Sequence, residues 1–394
     1  MFNLILAVIY LSFISLGLPD SLLGAAWPTI YPEFGVPVSY AGVIFIIICG
    51  GTIVSSLFSD KLTKLLGAGK VTAISVLITA IALVGYSAST SYWMLLVWAI
   101  PYGLGAGSVD AALNNYVALH YESHHMSWLH CMWGVGASVG PYIMSFTLSN
   151  GEHWTNGYRY IAILQIILVA LIFISLPLWK RDGENRETVS GNENKNTLSF
   201  KEIFNIPGAK QVMLMFFCYC ALEQSAGLWA SSYMVLKYGL NEKIAASYGS
   251  MFFIGITVGR AISGFVAMKL SDHKMIKLGC YMIFIGIVLM FMPFGYQISL
   301  IGIITVGLGC APIYPCIIHA TPENFGADKS QALIGVQMAS AYIGNVIMPP
   351  LFGLIANYIS VSLLPVYLLI ILAVMWAMHR YVLKIVVKKY KTGV

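Results

Sequence analysis

The sequence predicts an all-α membrane protein of twelve transmembrane helices in two six-helix pseudo-repeats, and three observations predict it. The chain of 394 residues is 58% hydrophobic and only 10% charged, with a mean hydropathy of +0.79, whereas soluble domains carry about 25% charged residues. Its apolar residues fall into twelve runs, each near the ~20 residues a helix needs to cross a bilayer. Short motifs of the first half return in the second at a nearly constant offset. The same composition excludes disorder, whose signature is low hydrophobicity and high charge. The 37 glycines have no three-residue period, which excludes a collagen-like chain. The seven cysteines all lie in apolar runs and read as small buried hydrophobes rather than a metal or redox site.

Cutting at charged and Pro/Gly/Asn-rich breaks places the spans at 4–31, 39–58, 71–89, 92–119, 128–149, 158–179, 209–237, 243–268, 275–293, 297–319, 330–357 and 361–382. No Lys or Arg precedes the first run, and it continues past the length of a secretion signal, so it reads as a retained span. One long polar connector, 180–208, sits near the midpoint. The predicted organisation is an N-terminal six-helix bundle at 1–179, a cytoplasmic linker at 180–208, and a C-terminal six-helix bundle with a short cytoplasmic tail at 209–394.

The net charge of +6 is not a nucleic-acid footprint, because the basic residues are spread over short loops and a tail. They obey the positive-inside rule instead. With the N-terminus in the cytoplasm, 18 of the 22 Lys and Arg fall in cytoplasmic segments, three outside (Arg159, Lys237, Lys243) and one, Arg260, within a span. Both termini and the connector are therefore expected in the cytoplasm.

Gly103-Leu104-Gly105-Ala106 recurs as Gly307-Leu308-Gly309-Cys310, 204 residues on, and Gly136 to Pro141 recurs as Gly344 to Pro349, 208 residues on. Six plus six spans around a cytoplasmic midpoint is the layout of the major facilitator superfamily, whose members hold their substrate between the halves and expose it to each side in turn.

An ionisable side chain in hydrocarbon costs several kcal/mol, so each one requires a reason. Of the sixteen Asp and Glu, only Asp20, Asp110 and Glu223 fall well inside spans. Asp20 follows Pro19 at a break in span one, where proline removes a helical hydrogen bond. Asp110 shares a helix face with Asn114, four residues on. Glu223 lies 203 residues after Asp20, at the equivalent place in the second half. A carboxyl group in such a setting can take a proton on one side and lose it on the other, coupling proton flow to solute movement. Arg260 is read as nearer the cytoplasmic end of span eight, so the three acids are expected to lack permanent basic partners. Asn114, Asn115, His130, Trp133, Gln224, Trp229, Tyr314, Gln337, Tyr342 and Asn345 supply the amides and aromatic planes that suit a sugar. Each also has a structural reading, as interfacial aromatic or helix glue. No metal site is expected.

The runs LPDSLLG (18–24) and GSVDAALNNYV (107–117) resemble the helix-one and helix-four elements of the fucose:proton symporter family, which includes bacterial glucose/mannose:proton symporters. The resemblance implies that Asp110 is the proton-linked carboxyl, that Asp20 assists protonation or gating, and that Asn114 lies at the family's Asn. Span seven, YCALEQSAGLWASSY (219–233), is similar to a Gly-x-Glu-x-x-x-x-x-Trp pattern of the glucose-type members, which implies Glu223 and Trp229 as sugar contacts. Gly259-Arg260 with Ser263-Gly264, and Pro349-Pro350, also resemble family elements; Arg260 and Pro19 are taken as gating residues. The chain departs from the pattern in having Asp110 where the family commonly has Glu, and Pro19 where it has Asn.

The function expected is proton-coupled uptake of a monosaccharide or similar small polyol by alternating access. The expected carrier is a monomer in the bacterial cytoplasmic membrane, driven by the proton gradient without a cofactor. The alternative is a proton-driven antiporter exporting drugs or metabolites. It rests on Gly136-x-x-x-Gly140-Pro141, which resembles an efflux signature although Tyr142, Ile143 and Met144 follow in place of its second glycine pair. An intramembrane aspartyl protease is excluded, because Asp110 is not preceded by Gly-x-Gly. The chain is not expected to be an enzyme.

Overall fold

A computed structural model of the protein describes residues 4–20, 22–36, 40–187, 198–240 and 242–392. Among them there is no strand, and fifteen α-helices account for nearly all residues. In order these are α1 (Leu4–Asp20), α2 (Leu22–Glu33), α3 (Ala41–Leu66), α4 (Ala68–Ser87), α5 (Tyr92–His120), α6 (Ser123–Ser149), α7 (Trp154–Glu187), α8 (Phe200–Asn205), α9 (Ala209–Tyr238), α10 (Glu242–Ala267), α11 (Asp272–Phe291), α12 (Tyr296–Cys310), α13 (Ile313–Phe325), α14 (Ala327–Tyr358) and α15 (Leu364–Thr392). With α1 and α2 counted as one passage, α12 and α13 as another, and the short α8 set aside, these are the twelve spans. Ten stretches among the described residues are long and apolar enough to cross a membrane. The remaining two passages, α6 and α10, are less apolar, the latter containing a shorter apolar stretch at Met251–Ala267. Large apolar side chains such as Phe58, Ile166, Leu228, Phe284 and Ile370 stand exposed on the helices, as a lipid-facing surface requires.

The chain divides into two compact units. The first comprises Met1–Tyr116 and Leu129–Thr197; the second comprises Val117–Trp128 and Leu198–Val394. In the first, α1, α4 and α7 pack together over a core that includes Tyr86 stacked on Tyr158 at 5.2 Å and Trp154 edge-on to Tyr158 at 5.9 Å. In the second, α9 packs against α14, α15 and α10. Tight turns at Gly67 (φ 79°) and Gly326 (φ 103°) reverse the chain within one residue, a conformation that a Cβ would strain.

The repeat seen as letters is also a repeat of contacts. A Cβ on Gly103 would strike the carbonyl of Ile48, and one on Gly307 would strike that of Phe252, 204 residues on in both members. Gly136 lies against the carbonyl of Ile14, and Gly344 against that of Phe217. Phe217 follows Ile14 by 203 residues, the spacing that relates Glu223 to Asp20. Small residues at these points let helix backbones touch, which replaces the hydrophobic drive that lipid cannot supply.

The connector expected at 180–208 is helical at both ends. The helix α7 runs on to Glu187, and α8 begins at a capping box in which Ser199 and Glu202 each bond the other's backbone. The hydroxyl and amide of Ser199 hold the Glu202 carboxyl below the usual carboxylate range. Residues 188–197 of the connector lie outside the described residues.

Candidate functional site

The three acids read as lying within spans each sit in a group of polar side chains, two in the first unit and one in the second. Asp20 ends α1. Its Oδ1 accepts a hydrogen bond from the Tyr102 hydroxyl and its Oδ2 one from the Trp133 indole N–H, both at 2.8 Å. Each oxygen thus meets one neutral donor, an arrangement suited to a carboxylate. Asp20 is exposed even with both oxygens held by neighbouring helices. Pro19 is buried beside it. Trp133 reaches Asp20 because α6 crosses α1 at contact distance. A Cβ on Gly17 would strike the Trp133 carbonyl, and Cβ atoms on Gly136 and Gly140 would strike the carbonyls of Ile14 and Leu18.

The second group lies on α5 and α6. Asp110 is 4% exposed and Asn114 fully buried. The Asn114 amide nitrogen donates to Asp110 Oδ1 at 2.8 Å and to the Asp110 carbonyl at 2.9 Å. Its oxygen meets Nε2 of His130 at 3.0 Å, and the imidazole is braced edge-on by Phe13 at 5.4 Å. The result is a buried line of carboxyl, amide and imidazole. It joins two of the candidates, Asp110 and Asn114, to His130, while Asn115 is buried next along the helix.

The third group corrects an expectation. Glu223 Oε1 lies 3.3 Å from a guanidinium nitrogen of Arg260. The two form an ion pair inside the second unit, Arg260 being 4% exposed. The reading that Glu223 has no basic partner is therefore overturned. Glu223 stands 15 residues before the end of α9 and Arg260 18 residues after the start of α10, so the two lie at similar depth on consecutive antiparallel helices, a match that distance from the span's cytoplasmic end does not reveal. Around the pair, Tyr219 donates to the Cys310 carbonyl at 3.1 Å, where α12 breaks before Pro312 and the backbone is open. Tyr314 packs at 4.7 Å on Phe216 and 5.9 Å on Tyr219, with its hydroxyl 3.1 Å from the Met338 sulfur.

The remaining candidates separate by what already occupies them. Trp229 donates its indole N–H to the Pro349 carbonyl at 2.9 Å and packs on Phe352, so its donor ties α9 to α14. Gln337 is fully buried and bonds Thr321 at 3.1 Å, a helix–helix clasp rather than a cavity wall. Gln224 is exposed and Tyr342 half-buried. The buried side-chain oxygen of Asn345 has no hydrogen-bond partner among the described residues, a deficit that water or a polar solute would remove.

Sequence reasoning missed Tyr102 and Tyr219. Tyr219 stands one helical turn before Glu223, a spacing that could have found it. Tyr102 follows Pro101 with nothing in the sequence to distinguish it from the other 22 tyrosines.

Comparison with known proteins places this geometry in context. A profile of the Major Facilitator Superfamily matches residues 9–336. Bypass of stop codon protein 6 of Saccharomyces cerevisiae is 23% identical over an alignment of 410 positions, covering 94% of this chain and 81% of that protein. The glucose/mannose transporter GlcP of Bacillus subtilis is 23% identical over 366 positions, covering 90% of this chain and 88% of that protein. Among solved structures, the fucose:proton symporter FucP of E. coli superposes with a TM-score of 0.74 at 18% identity, covering 96% of this chain and 98% of the other. At that identity the likeness speaks to the fold.

Proposed function

The chain belongs to the Major Facilitator Superfamily, and on that premise we propose that this multi-pass membrane transporter carries out proton-coupled uptake of a monosaccharide or similar small polyol. The observation that carries the reading is the line from Asp110 through Asn114 to His130. A carboxyl group is kept in a span, and a neutral amide links it to a second group able to take up a proton. In a low-dielectric site such a carboxyl changes charge only when water or solute reaches it. Opening to one side and then the other makes that change a transport step.

In this reading Asp110 carries the coupled proton and Asp20 assists. Asn114, Asn115, Trp133, Gln224, Trp229, Tyr314, Tyr342 and Asn345 supply the polar and aromatic contacts of a sugar. Glu223 contributes its second carboxylate oxygen, with Arg260 fixing its position, and Pro19 and Arg260 belong to the gating machinery. The carrier acts as a monomer in the bacterial cytoplasmic membrane with both termini in the cytoplasm, its two bundles at 1–179 and 209–394 joined by the 180–208 linker. The proton gradient drives it without a cofactor. The glycine pair that supports the exporter reading is accounted for by the contact of α6 with α1.

The test is a proteoliposome measurement. Addition of a transported hexose or deoxyhexose outside should alkalinise the external medium as sugar enters. Acidification on addition of a drug-like cation, with no response to any sugar, would establish the exporter instead.

A further inference from the structure

The segment Val117–Trp128 belongs to the second unit, although the chain on both sides of it belongs to the first. Its C-terminal end is anchored by packing, with Trp128 edge-on to Phe265 at 5.5 Å and lying over Gly264. Its N-terminal end is held by a different device. His319, on α13, faces Asp272 Oδ2 with Nδ1 at 2.6 Å and the Tyr121 carbonyl with Nε2 at 2.8 Å. The other oxygen of Asp272 accepts from the Ser123 hydroxyl.

Both ring nitrogens of His319 therefore point at oxygens. A carbonyl oxygen only accepts, so Nε2 must carry a proton. A second proton must then lie between Nδ1 and Asp272 Oδ2, since two lone pairs at 2.6 Å would repel. The pair thus holds one proton more than a neutral imidazole and a carboxylate. We propose that His319 with Asp272 is a proton-binding site whose proton clasps the segment Val117–Trp128 to the second unit.

Removing that proton leaves one N–H for two acceptors. The charged one prevails, because a hydrogen bond to a carboxylate is about twice as strong as one to a neutral group. The imidazole then keeps Asp272 and turns a lone pair toward the Tyr121 carbonyl, and the segment loses one of its two hydrogen bonds to this site, that of Ser123 to Asp272 remaining. The clasp closes at low pH and opens as pH rises. Other titratable groups surround it. Glu323 is on the same helix, and Cys316 adjoins Asp272. His273, on α11, turns to Asn324 at 3.2 Å. The neighbouring α9 carries Lys210, Tyr219 and Glu223, the last paired with Arg260, and α14 carries Asp328 and Lys329, which lie 4.0 Å apart. On the segment itself are Glu122, His124 and His125. Burial and the adjacent His124 push His125 below its usual value, which takes its titration to the acid side.

The experiment is hydrogen–deuterium exchange of residues 117–128 in the full-length protein in nanodiscs, corrected for intrinsic exchange, between pH 5.5 and 8.5. Loss of one hydrogen bond of ordinary strength should raise opening about fivefold to tenfold across that range. His319→Gln should exchange at a rate without this pH dependence, while a His124→Gln/His125→Gln double variant should keep it. Nitrogen-15 histidine spectra should show one imidazole, absent in His319→Gln, titrating with the change in exchange. A pH-independent wild type, an unchanged profile in His319→Gln, or loss of the profile in the double variant would each overturn the assignment. No transport is measured, so the outcome is independent of the solute carried.

Discussion

The Tyr102 hydroxyl donates to one oxygen of Asp20 and the Trp133 indole to the other, at the same distance of 2.8 Å. Tyr102 comes from α5 and Trp133 from α6, so the end of α1 is held by two neighbours through its only carboxylate. If Asp20 assists coupling, these donors set its position. Hydrogen bonds to charged groups contribute about 1.5–3 kcal/mol. Tyr102→Phe and Trp133→Phe should each slow uptake about tenfold, with the thermal midpoint shifted by no more than about 3 °C. Uptake at the parental rate in Tyr102→Phe would remove the tyrosine from the site.

Asp110 offers a sharper separation. Asp110→Asn preserves shape and keeps an oxygen for the Asn114 amide, but it cannot exchange a proton. Accumulation against a gradient should vanish, while exchange of labelled for unlabelled sugar across the membrane continues. His130→Gln keeps a donor for Asn114 and removes the second titratable group. It should retain accumulation at reduced rate if Asp110 alone carries the proton. An Asp110→Asn carrier that concentrates sugar as well as the parent would end the coupling assignment.

The sequence made the helices legible because a membrane span is specified by length and apolarity alone. The runs around Ala41–Leu66 and Asp272–Phe291 could be read directly. The first acid pair was legible for a related reason: Asp20 and Asp110 stand out against oil whatever surrounds them. Partners were not legible. The spacing from Asp110 to Asn114 lies on one helix and was found, whereas Tyr102, Trp133 and Asp20 meet across three. Arg260 misled because its distance from the end of span eight hid its match in depth to Glu223 across the turn between α9 and α10. The bonds of Trp229 to Pro349 and of Gln337 to Thr321 were not legible either, since polar side chains that close helices and polar side chains that bind solute have the same composition and differ only in what they touch.

The Glu223–Arg260 pair should behave as a unit. Breaking a buried pair by removing one member costs about 3–5 kcal/mol, whereas replacing both by apolar groups of similar volume is close to neutral. The cost lies in the charge left behind: Glu223→Gln leaves the guanidinium of Arg260, 5% accessible, without its counter-ion, whereas Arg260→Met leaves Glu223, 16% accessible and nearer solvent, so the arginine substitution should fall below that range. Glu223→Gln should lower the thermal midpoint more than Arg260→Met does, and Glu223→Met/Arg260→Met should recover at least half of the larger loss. Sugar affinity should weaken in Glu223→Gln and not return in the double variant. Unchanged affinity in Glu223→Gln would make the pair purely structural.

The repeated glycine contacts predict paired effects in the two halves. Gly136 and Gly344 each lie where a Cβ would meet the backbone carbonyl of a crossing helix, at Ile14 and Phe217 respectively. A backbone carbonyl cannot rotate away as a side chain can, so the helices must separate, and overpacking of this kind costs about 1–3 kcal/mol. Gly136→Ala and Gly344→Ala should both lower the thermal midpoint. Gly136→Ala should in addition slow uptake, because the contact of α6 with α1 also brings Trp133 to Asp20. Gly24 and Gly42 are helical positions where an added Cβ meets nothing within 4 Å. There alanine should be neutral or stabilising, by up to about 1 kcal/mol from helix propensity. A thermal-shift series that ranked all four substitutions alike would show that the glycines do not hold the helices together, and that the correspondence between the halves is one of sequence alone.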